Sequence, residues 1–323
     1  MTKEERAKKK RNRIILIAVE IFVLLLMLIA VYVVVLYGKI HHEDINEDEI
    51  VINDGIDGEN DINAGDIATN EGLGGHMSGY RNVALFGVDA RDKSLGKGNR
   101  TDTIIVASIN ETTKEVKLVS VYRDTYLNIG NDSYNKANSA YAKGGPLQAI
   151  NMLNMNLDLN ITDYVTVGRA GVADTIDALG GVEIDVDESE INHLNNYQVE
   201  TSKSLGKSYN KVTSTGLQTL DGIQAVSYCR IRYTAGDDFK RTERQREVIQ
   251  AILDKAKKAN IATLNKAANT IFEDISTSMT FTEITELLTD VASYSIGETG
   301  GFPAEQYRAT GDVHGASCVM STD

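Results

Sequence analysis

Cysteine and histidine are scarce in this 323-residue chain, with two of the former and five of the latter. Cys229 and Cys318 cannot build a disulfide framework. One bridge between them is the only pairing open, but Cys229 falls inside an arginine motif described below, and we expect two free thiols. His41, His42, His76, His193 and His314 are scattered, and no Cys/His spacing resembles a zinc site. No histidine is placed beside a candidate serine or cysteine nucleophile, and there is no G-x-S-x-G elbow. Gly206-Lys207-Ser208 imitates the end of a P-loop, yet Thr201 stands where its first glycine belongs and no strand precedes it. Basic charge is also in deficit: a net charge of −13 argues against nucleic acid as a partner, because phosphate backbones select basic surfaces. No internal repeat is evident.

What basic charge there is begins at the N-terminus. Residues 1–13, MTKEERAKKKRNR, are strongly basic and read as a cytoplasmic tail. Residues 14–37 form a near-continuous apolar run, long enough for a membrane-spanning helix. The positive-inside rule keeps the tail in the cytoplasm and places the rest of the chain outside. A cleaved signal peptide would have a shorter apolar core and a small-residue cleavage motif. Glu20 within the run is tolerated near the cytoplasmic end. Residues 38–79 then turn rich in Asp, Glu, Asn and Gly around isolated isoleucines. That composition predicts a flexible, self-repelling linker that holds the next domain off the bilayer. Its acidic pairs lack the glycine and glutamate spacing of an EF-hand loop.

Residues 80–323 read as one globular α/β domain. Strands are predicted at 83–88, 103–109, 115–121, 164–167 and 182–186, the second and third joined by a hairpin turn at 110–113. Helices are predicted at 147–157, 170–179, 217–228, 237–258, 261–272 and 281–294. Residues 192–215 are polar and weakly patterned, which suggests a surface excursion, and 301–323 suggest one or two closing strands. The alternation of strands and helices argues for an α/β sandwich.

Within this domain the stretch NVALFGVDARDKSLGKGNRTD, residues 82–102, carries the chemistry. Asp89 ends one apolar run and Asp102 opens the next, so two strand ends can present two carboxylates to a hard divalent cation. Arginines recur where elements end: Arg91, Arg100, Arg123, Arg230, Arg232, Arg241 and Arg244. The guanidinium fork matches phosphate oxygens and stays charged at any working pH. Arg230 and Arg232 alternate on a piece read as extended, so they share a face. Arg241, Arg244 and Gln245 occupy the first turns of the long helix, whose N-terminus favours an anion. Taken singly each arginine is an ordinary surface ion pair; together they suggest a metal and phosphate site.

At this point the chain resembles the LytR-CpsA-Psr family of membrane-anchored cell-wall enzymes. The matching pieces are Phe86-Gly87-Val88-Asp89-Ala90-Arg91, Arg100-Thr101-Asp102, Ser120-Val121-Tyr122-Arg123-Asp124, Tyr134-Asn135-Lys136, Gly180-Gly181-Val182, Leu220-Asp221-Gly222, Arg230-x-Arg232-Tyr233 and Asp238-Phe239-x-Arg241-x-x-Arg244-Gln245. The resemblance implies an α-β-α sandwich around a mixed sheet. It implies a phosphotransferase that moves a polyprenyl-pyrophosphate-linked anionic glycopolymer, such as teichoic acid or capsule, onto peptidoglycan and releases polyprenyl phosphate. Carried over, Asp89 and Asp102 would bind Mg2+ or Mn2+. Arg100, Arg123, Arg230, Arg232, Arg241 and Gln245 would grip the pyrophosphate, and Arg123, Asp89 and Arg100 would be catalytic. Asp124 or Asp89 would take the acceptor's proton. The prenyl tail would enter an apolar tunnel, for which the helices at 147–157 and 248–253 are candidates. Lys240 stands where many members have glycine, and this chain stops at Asp323 where many continue into a further helix. The implied partners are lipid-linked polymer, peptidoglycan and the bilayer. Two other functions use the same residues: a polyprenyl-pyrophosphate phosphatase, with water as acceptor, and a non-catalytic anchored regulator of the cell envelope.

Overall fold

The structure, a computed structural model, describes residues 27, 34–43, 45–53, 79–90, 94–232 and 237–322. The chain divides into two units, Met1–Ile40 and His41–Asp323. In the first, Met27 and residues 34–37 are helical. The predicted tail and most of the predicted span lie outside the described residues, and among those described no helix is long and apolar enough to cross a membrane.

In chain order the second unit contains β1 (His41–His42), β2 (Tyr80–Val88), β3 (Thr101–Asn110), β4 (Glu115–Val121), β5 (Tyr126–Asn128), β6 (Tyr134–Lys136), α1 (Asn138–Leu157), β7 (Asp163–Gly168), α2 (Arg169–Leu179) and β8 (Val182–Val186). It continues through α3 (Glu188–Leu205), β9 (Gly216–Leu220), α4 (Gly222–Tyr228), α5 (Asp237–Lys258), α6 (Ile261–Phe272), β10 (Ile275–Thr277), α7 (Phe281–Thr289), β11 (Ser295–Phe302), β12 (Arg308–Val313) and β13 (Ala316–Ser321). Seven strands form one sheet in the order β1-β10-β7-β2-β3-β4-β11. β2 runs parallel to β7 and antiparallel to β3, so the sheet is mixed.

Strand alternation sorts the side chains into two layers. Ala84, Phe86 and Val88 of β2 join Ile104 and Val106 of β3 against Ala149, Ile150, Met152 and Leu153 of α1 in one core. Leu85, Ile105, Ala107 and Leu118 face the other way, toward Ile249 of α5. Ile176 of α2, β8, Leu194 of α3, Leu220 of β9, Tyr228 of α4 and Val248 of α5 form a further core beyond the sheet. Each fully buried Leu, Ile or Phe side chain contributes about 1.5–3 kcal/mol. The result is helix, sheet and helix, the sandwich expected from the sequence.

Four kinds of sequence expectation are corrected: an excursion, a helix that is a strand and a shorter helix, two helix bounds, and the linker. The surface excursion at 192–215 is largely α3. A capping box between Asp187 and Glu190 starts it, and its buried face carries Gln198 and Thr201 beside Leu194, so polar residues hide the helical period. The helix expected at 217–228 is strand β9 followed by α4, because β9 pairs antiparallel with β8 and Asp221 caps α4 through the Gln224 N–H. Gly222 lets α4 meet α2, since a Cβ there would collide with the Ala173 carbonyl. Helix α1 starts at Asn138, before the predicted 147, and α7 ends at Thr289, before the predicted 294.

The fourth correction concerns the linker. His41–His42 pairs with β10, and Ile45 and Ile50 pack against the α1-side core. Val51 N–H donates to the Asn151 side chain at 2.9 Å, and the Asn151 amide donates to the Glu49 carbonyl at 2.9 Å. The isolated isoleucines are the anchors that tie this stretch down. Residues 54–78 of the predicted linker lie outside the described residues.

Candidate functional site

The site begins at an irregularity between β2 and β3. Gly87 pairs with Thr103 and Val88 with Thr101, so Asp102 is the extra residue of a β-bulge. A bulge re-aims a side chain at a strand end. Gly87 keeps the crossing tight, because a Cβ there would lie 2.9 Å from the Thr103 Cβ.

Asp102 Oδ1 accepts a hydrogen bond from Arg123 Nη1 at 2.7 Å, and Arg232 Nη2 lies 3.9 Å from the same oxygen. Arg123 follows β4 on a turn held from several sides. Asn138 N–H donates to the Arg123 carbonyl at 3.0 Å, and Val319 N–H of β13 donates to the Asp124 carbonyl at 2.9 Å. Asp238, in the first turn of α5, gathers three arginines on Oδ1: Arg241 Nη1 at 2.9 Å, Arg232 Nε at 3.7 Å and Arg123 Nε at 3.9 Å. Arg241 Nη2 also donates to the Asp102 carbonyl at 3.2 Å. Elements distant in sequence thus meet in one alternating cluster of carboxylates and guanidiniums.

Electrostatics follow from this crowding. Arg241 is only 2% exposed. Burial, then the Arg232 and Arg123 charges, push its guanidinium down to about 10 against the opposing pull of Asp238. Burial works the same way on Arg123, but Asp124, Asp102 and Asp238 outweigh it and hold Arg123 above the ordinary arginine value. Arg241 Nε and Gln245 Oε1 are buried without a hydrogen-bond partner among the described residues, which leaves polar capacity for a ligand.

A second cluster comes from other elements. Arg169, the first residue of α2, forms an ion pair with Asp89. Burial, then the Arg230 charge, hold Arg169 below the ordinary arginine value, with Glu200 acting against them. Arg230 donates to Glu200 Oε2 at 2.9 Å and to Thr201 Oγ1 at 2.8 Å, and stacks over the Tyr197 ring at 5.0 Å, all three on α3.

Both clusters border a cavity of about 550 Å³. Asp102, Arg169, Glu200, Arg230, Arg232, Arg241 and Gln245 supply its polar wall. Leu85 and Ile105 from the sheet, Val172 from α2, Val226 from α4, Val248, Ile249 and Ile252 from α5 and Ile271 from α6 supply its apolar wall. Of the two helices expected to line a tunnel, α5 borders this cavity. The apolar face of α1 instead fills the core on the opposite side of the sheet, because its partners are Phe86 and Val88.

The structure separates the sequence candidates. Arg230 and Arg232 do flank the cavity, with buried Ile231 between them, although they follow a turn rather than a strand. Arg244 leaves the group. It is about 100° around the helix from Gln245, and it forms a 2.7 Å ion pair with buried Glu190 and a 3.1 Å bond to the Ile231 carbonyl. Arg100 is exposed and bonds to no described residue. Arg91 and Tyr233 lie outside the described residues. Lys240 pairs with Glu243 at 2.8 Å and does not line the cavity. Both cysteines are free; Cys229 borders the cavity, and burial followed by the Glu247 charge pushes its thiol up to about 12.

Sequence reasoning named Asp238 in a motif but gave it no role, and it missed Arg169 and Glu200. Asp238 sits three residues before Arg241 at the start of a helix, a spacing that predicts an ion pair and was legible. Arg169 and Glu200 carry no local signal. As for a metal, among the described residues no group of three His, Cys, Asp or Glu side chains could hold one. Asp89 and Asp102, each 40% exposed, supply two hard oxygens at neighbouring strand ends. Carboxylate oxygens are the donor type that a hard divalent cation such as Mg2+ takes.

The polyisoprenyl-teichoic acid–peptidoglycan teichoic acid transferase TagU of Enterococcus faecalis is 33% identical over 215 residues, 66% of this chain and 66% of its own. The TagU of Oceanobacillus iheyensis is 34% identical over 221 residues, 65% of this chain and 62% of its own. The chain therefore spans a little under two thirds of the length of these relatives. The crystal structure of Bacillus subtilis TagV superposes with a TM-score of 0.58 at 26% identity, covering 75% of this chain and 91% of that one. The LytR_cpsA_psr family profile matches residues 41–320, and the chain belongs to that family.

Proposed function

We propose that this protein transfers a polyprenyl-pyrophosphate-linked anionic glycopolymer to peptidoglycan and releases polyprenyl phosphate. The observation that carries the reading is the cavity of about 550 Å³, with arginines on one part of its wall and aliphatic side chains on the rest. Such a wall suits a long apolar tail ending in a pyrophosphate. Similarity to TagU of Enterococcus faecalis, a teichoic acid transferase by name, supports the substrate class.

In this reading Arg123, Arg230, Arg232, Arg241 and Gln245 orient the pyrophosphate, with Arg100 joining them from its exposed position. A hydroxyl oxygen of the acceptor attacks the phosphorus that carries the glycopolymer. The bond from that phosphorus to the bridging oxygen breaks, and polyprenyl phosphate leaves with the electron pair. The acceptor's proton passes to a carboxylate. Of the two candidates, Asp124 is held below the usual carboxylate range by Lys136 and Arg123 against the effect of burial, which makes it a poor base. Asp89 and Asp102 would hold Mg2+ or Mn2+, which supplies charge neutralisation at the pyrophosphate. Residues 14–37 would anchor the chain in the bilayer as a single span, with residues 1–13 in the cytoplasm and the catalytic unit outside.

Incubation of the full chain with lipid-linked teichoic acid, peptidoglycan and Mg2+ tests this. Polymer joined to glycan together with free polyprenyl phosphate is expected, and chelation should stop both. Release of polyprenyl phosphate without attachment would make the protein a phosphatase and sink the transferase reading.

A further inference from the structure

Each carboxylate proposed for the cation already carries an arginine. Asp102 is bonded by Arg123 at 2.7 Å, and Asp89 is paired with Arg169. The second pairing follows from the topology. Val88 and Gly168 are register partners at the ends of parallel strands β2 and β7, so the residues after them, Asp89 and Arg169, leave the sheet side by side. Arg169 is also 19% exposed and lines the cavity with Arg230, Arg232 and Arg241. It opens an eleven-residue helix whose N-cap, Gly168, offers no side-chain hydrogen bond to the first N–H groups. Gly168 itself lines the cavity, so that helix start adds positive potential where the guanidinium already stands.

One carboxylate cannot serve a divalent cation and a guanidinium equally well. A cation on Asp89 displaces the ion pair that holds Arg169 there, and the freed guanidinium stands in a cavity wall beside Arg230. The group that satisfies two arginines and a helix N-terminus together is a multiply charged phosphate. We propose that Arg169 is a further anion-binding residue of this site, parked on Asp89 and handed to the pyrophosphate when a divalent cation takes that carboxylate. This rests on the transferase reading for the identity of the anion. It makes the cation and the pyrophosphate cooperative ligands, and by linkage each tightens the other by the same factor.

Binding rather than turnover tests it. The full chain in detergent micelles is titrated with Mn2+ alone, with geranylgeranyl pyrophosphate alone, and with each in the presence of the other. In the unaltered protein each ligand should tighten the other on the order of tenfold, within the usual range of site coupling. Arg169→Gln should bind Mn2+ alone more tightly, having lost the competitor, bind the lipid pyrophosphate more weakly, and lose most of the coupling. Arg169→Lys, which keeps the charge, should recover part of it. If Arg169→Gln weakens Mn2+ binding or leaves lipid affinity unchanged, Arg169 is only a brace for Asp89 and the handover is wrong. Should that variant fail to fold, absence of coupling in the unaltered protein overturns the proposal by itself. Coupling without polymer transfer would remove the transferase reading and keep the handover, whereas transfer without coupling would remove the handover alone.

Discussion

The guanidinium of Arg308 lies 3.7 Å from the centroid of the Phe239 ring. Arg308 opens the closing hairpin, and Phe239 follows Asp238 in the first turn of α5. Tyr122, next to Arg123, completes the stack: its ring meets Phe239 edge to face at 4.7 Å, and its hydroxyl accepts from Arg308 Nη1 at 3.0 Å. The last strands of the chain thus brace both segments that carry the arginine cluster. A partly desolvated cation–π pair of this kind is worth about 0.5–2 kcal/mol. Arg308→Ala should lower the melting temperature and slow polymer transfer without changing cavity residues, and Arg308→Lys should recover part of both. Unchanged activity in Arg308→Ala, measured beside thermal denaturation, would make the hairpin a bystander.

Arg241 and Arg244 are three residues apart and should fail differently. Arg241→Ala removes a donor aimed at the cavity and is expected to cost on the order of 10²–10³ in rate. Arg244→Ala strands buried Glu190 without its partner, an effect of about 3–5 kcal/mol on stability. Urea unfolding and single-turnover rates on both variants separate the two roles.

Asp124 predicts an acid limb. Its folded pKa is depressed, since Lys136, Arg123 and Arg241 outweigh burial. A depressed carboxylate stabilises the fold above its unfolded pKa, about 3.9, and that contribution is lost as pH falls through the folded value. Asp124→Asn should therefore flatten the loss of stability between about pH 4 and lower values, read from urea midpoints along a pH series. An unaltered acid limb would show that the Lys136 pair contributes nothing.

Gly222 offers a packing test. A methyl group there meets the Ala173 backbone carbonyl, which cannot rotate aside as a side chain would. Gly222→Ala should destabilise by about 1–3 kcal/mol or more, the usual cost of overpacking. Thermal denaturation reads it, and a neutral result would mean that α2 and α4 can separate freely.

Much of this was legible in the residues. The short apolar run at 103–109, rich in β-branched residues and bounded by polar ones, suits a buried strand, and the stretch 237–258 has the helical period, so β3 and α5 were predictable. Helix α3 was not, because its buried face is built partly of Gln198 and Thr201, whose burial depends on partners elsewhere. The docked stretch at 41–53 was missed for the same reason: Ile45 and Ile50 among acids look like part of a spacer until α1 and β10 supply the surface this stretch needs.

The sequence by itself determined the kinds of groups available: carboxylates at two strand ends, arginines at element ends, and a family resemblance resting on their order. Only the tertiary structure decided which of them meet. The bulge at Asp102, the parallel register that sets Asp89 beside Arg169, and the rotation of α5 that sends Arg241 inward and Arg244 away all depend on strand pairing and helix packing between remote segments. Local spacing encodes chemistry because side chains carry it. Direction is a property of packed backbones, and no single stretch of sequence contains it.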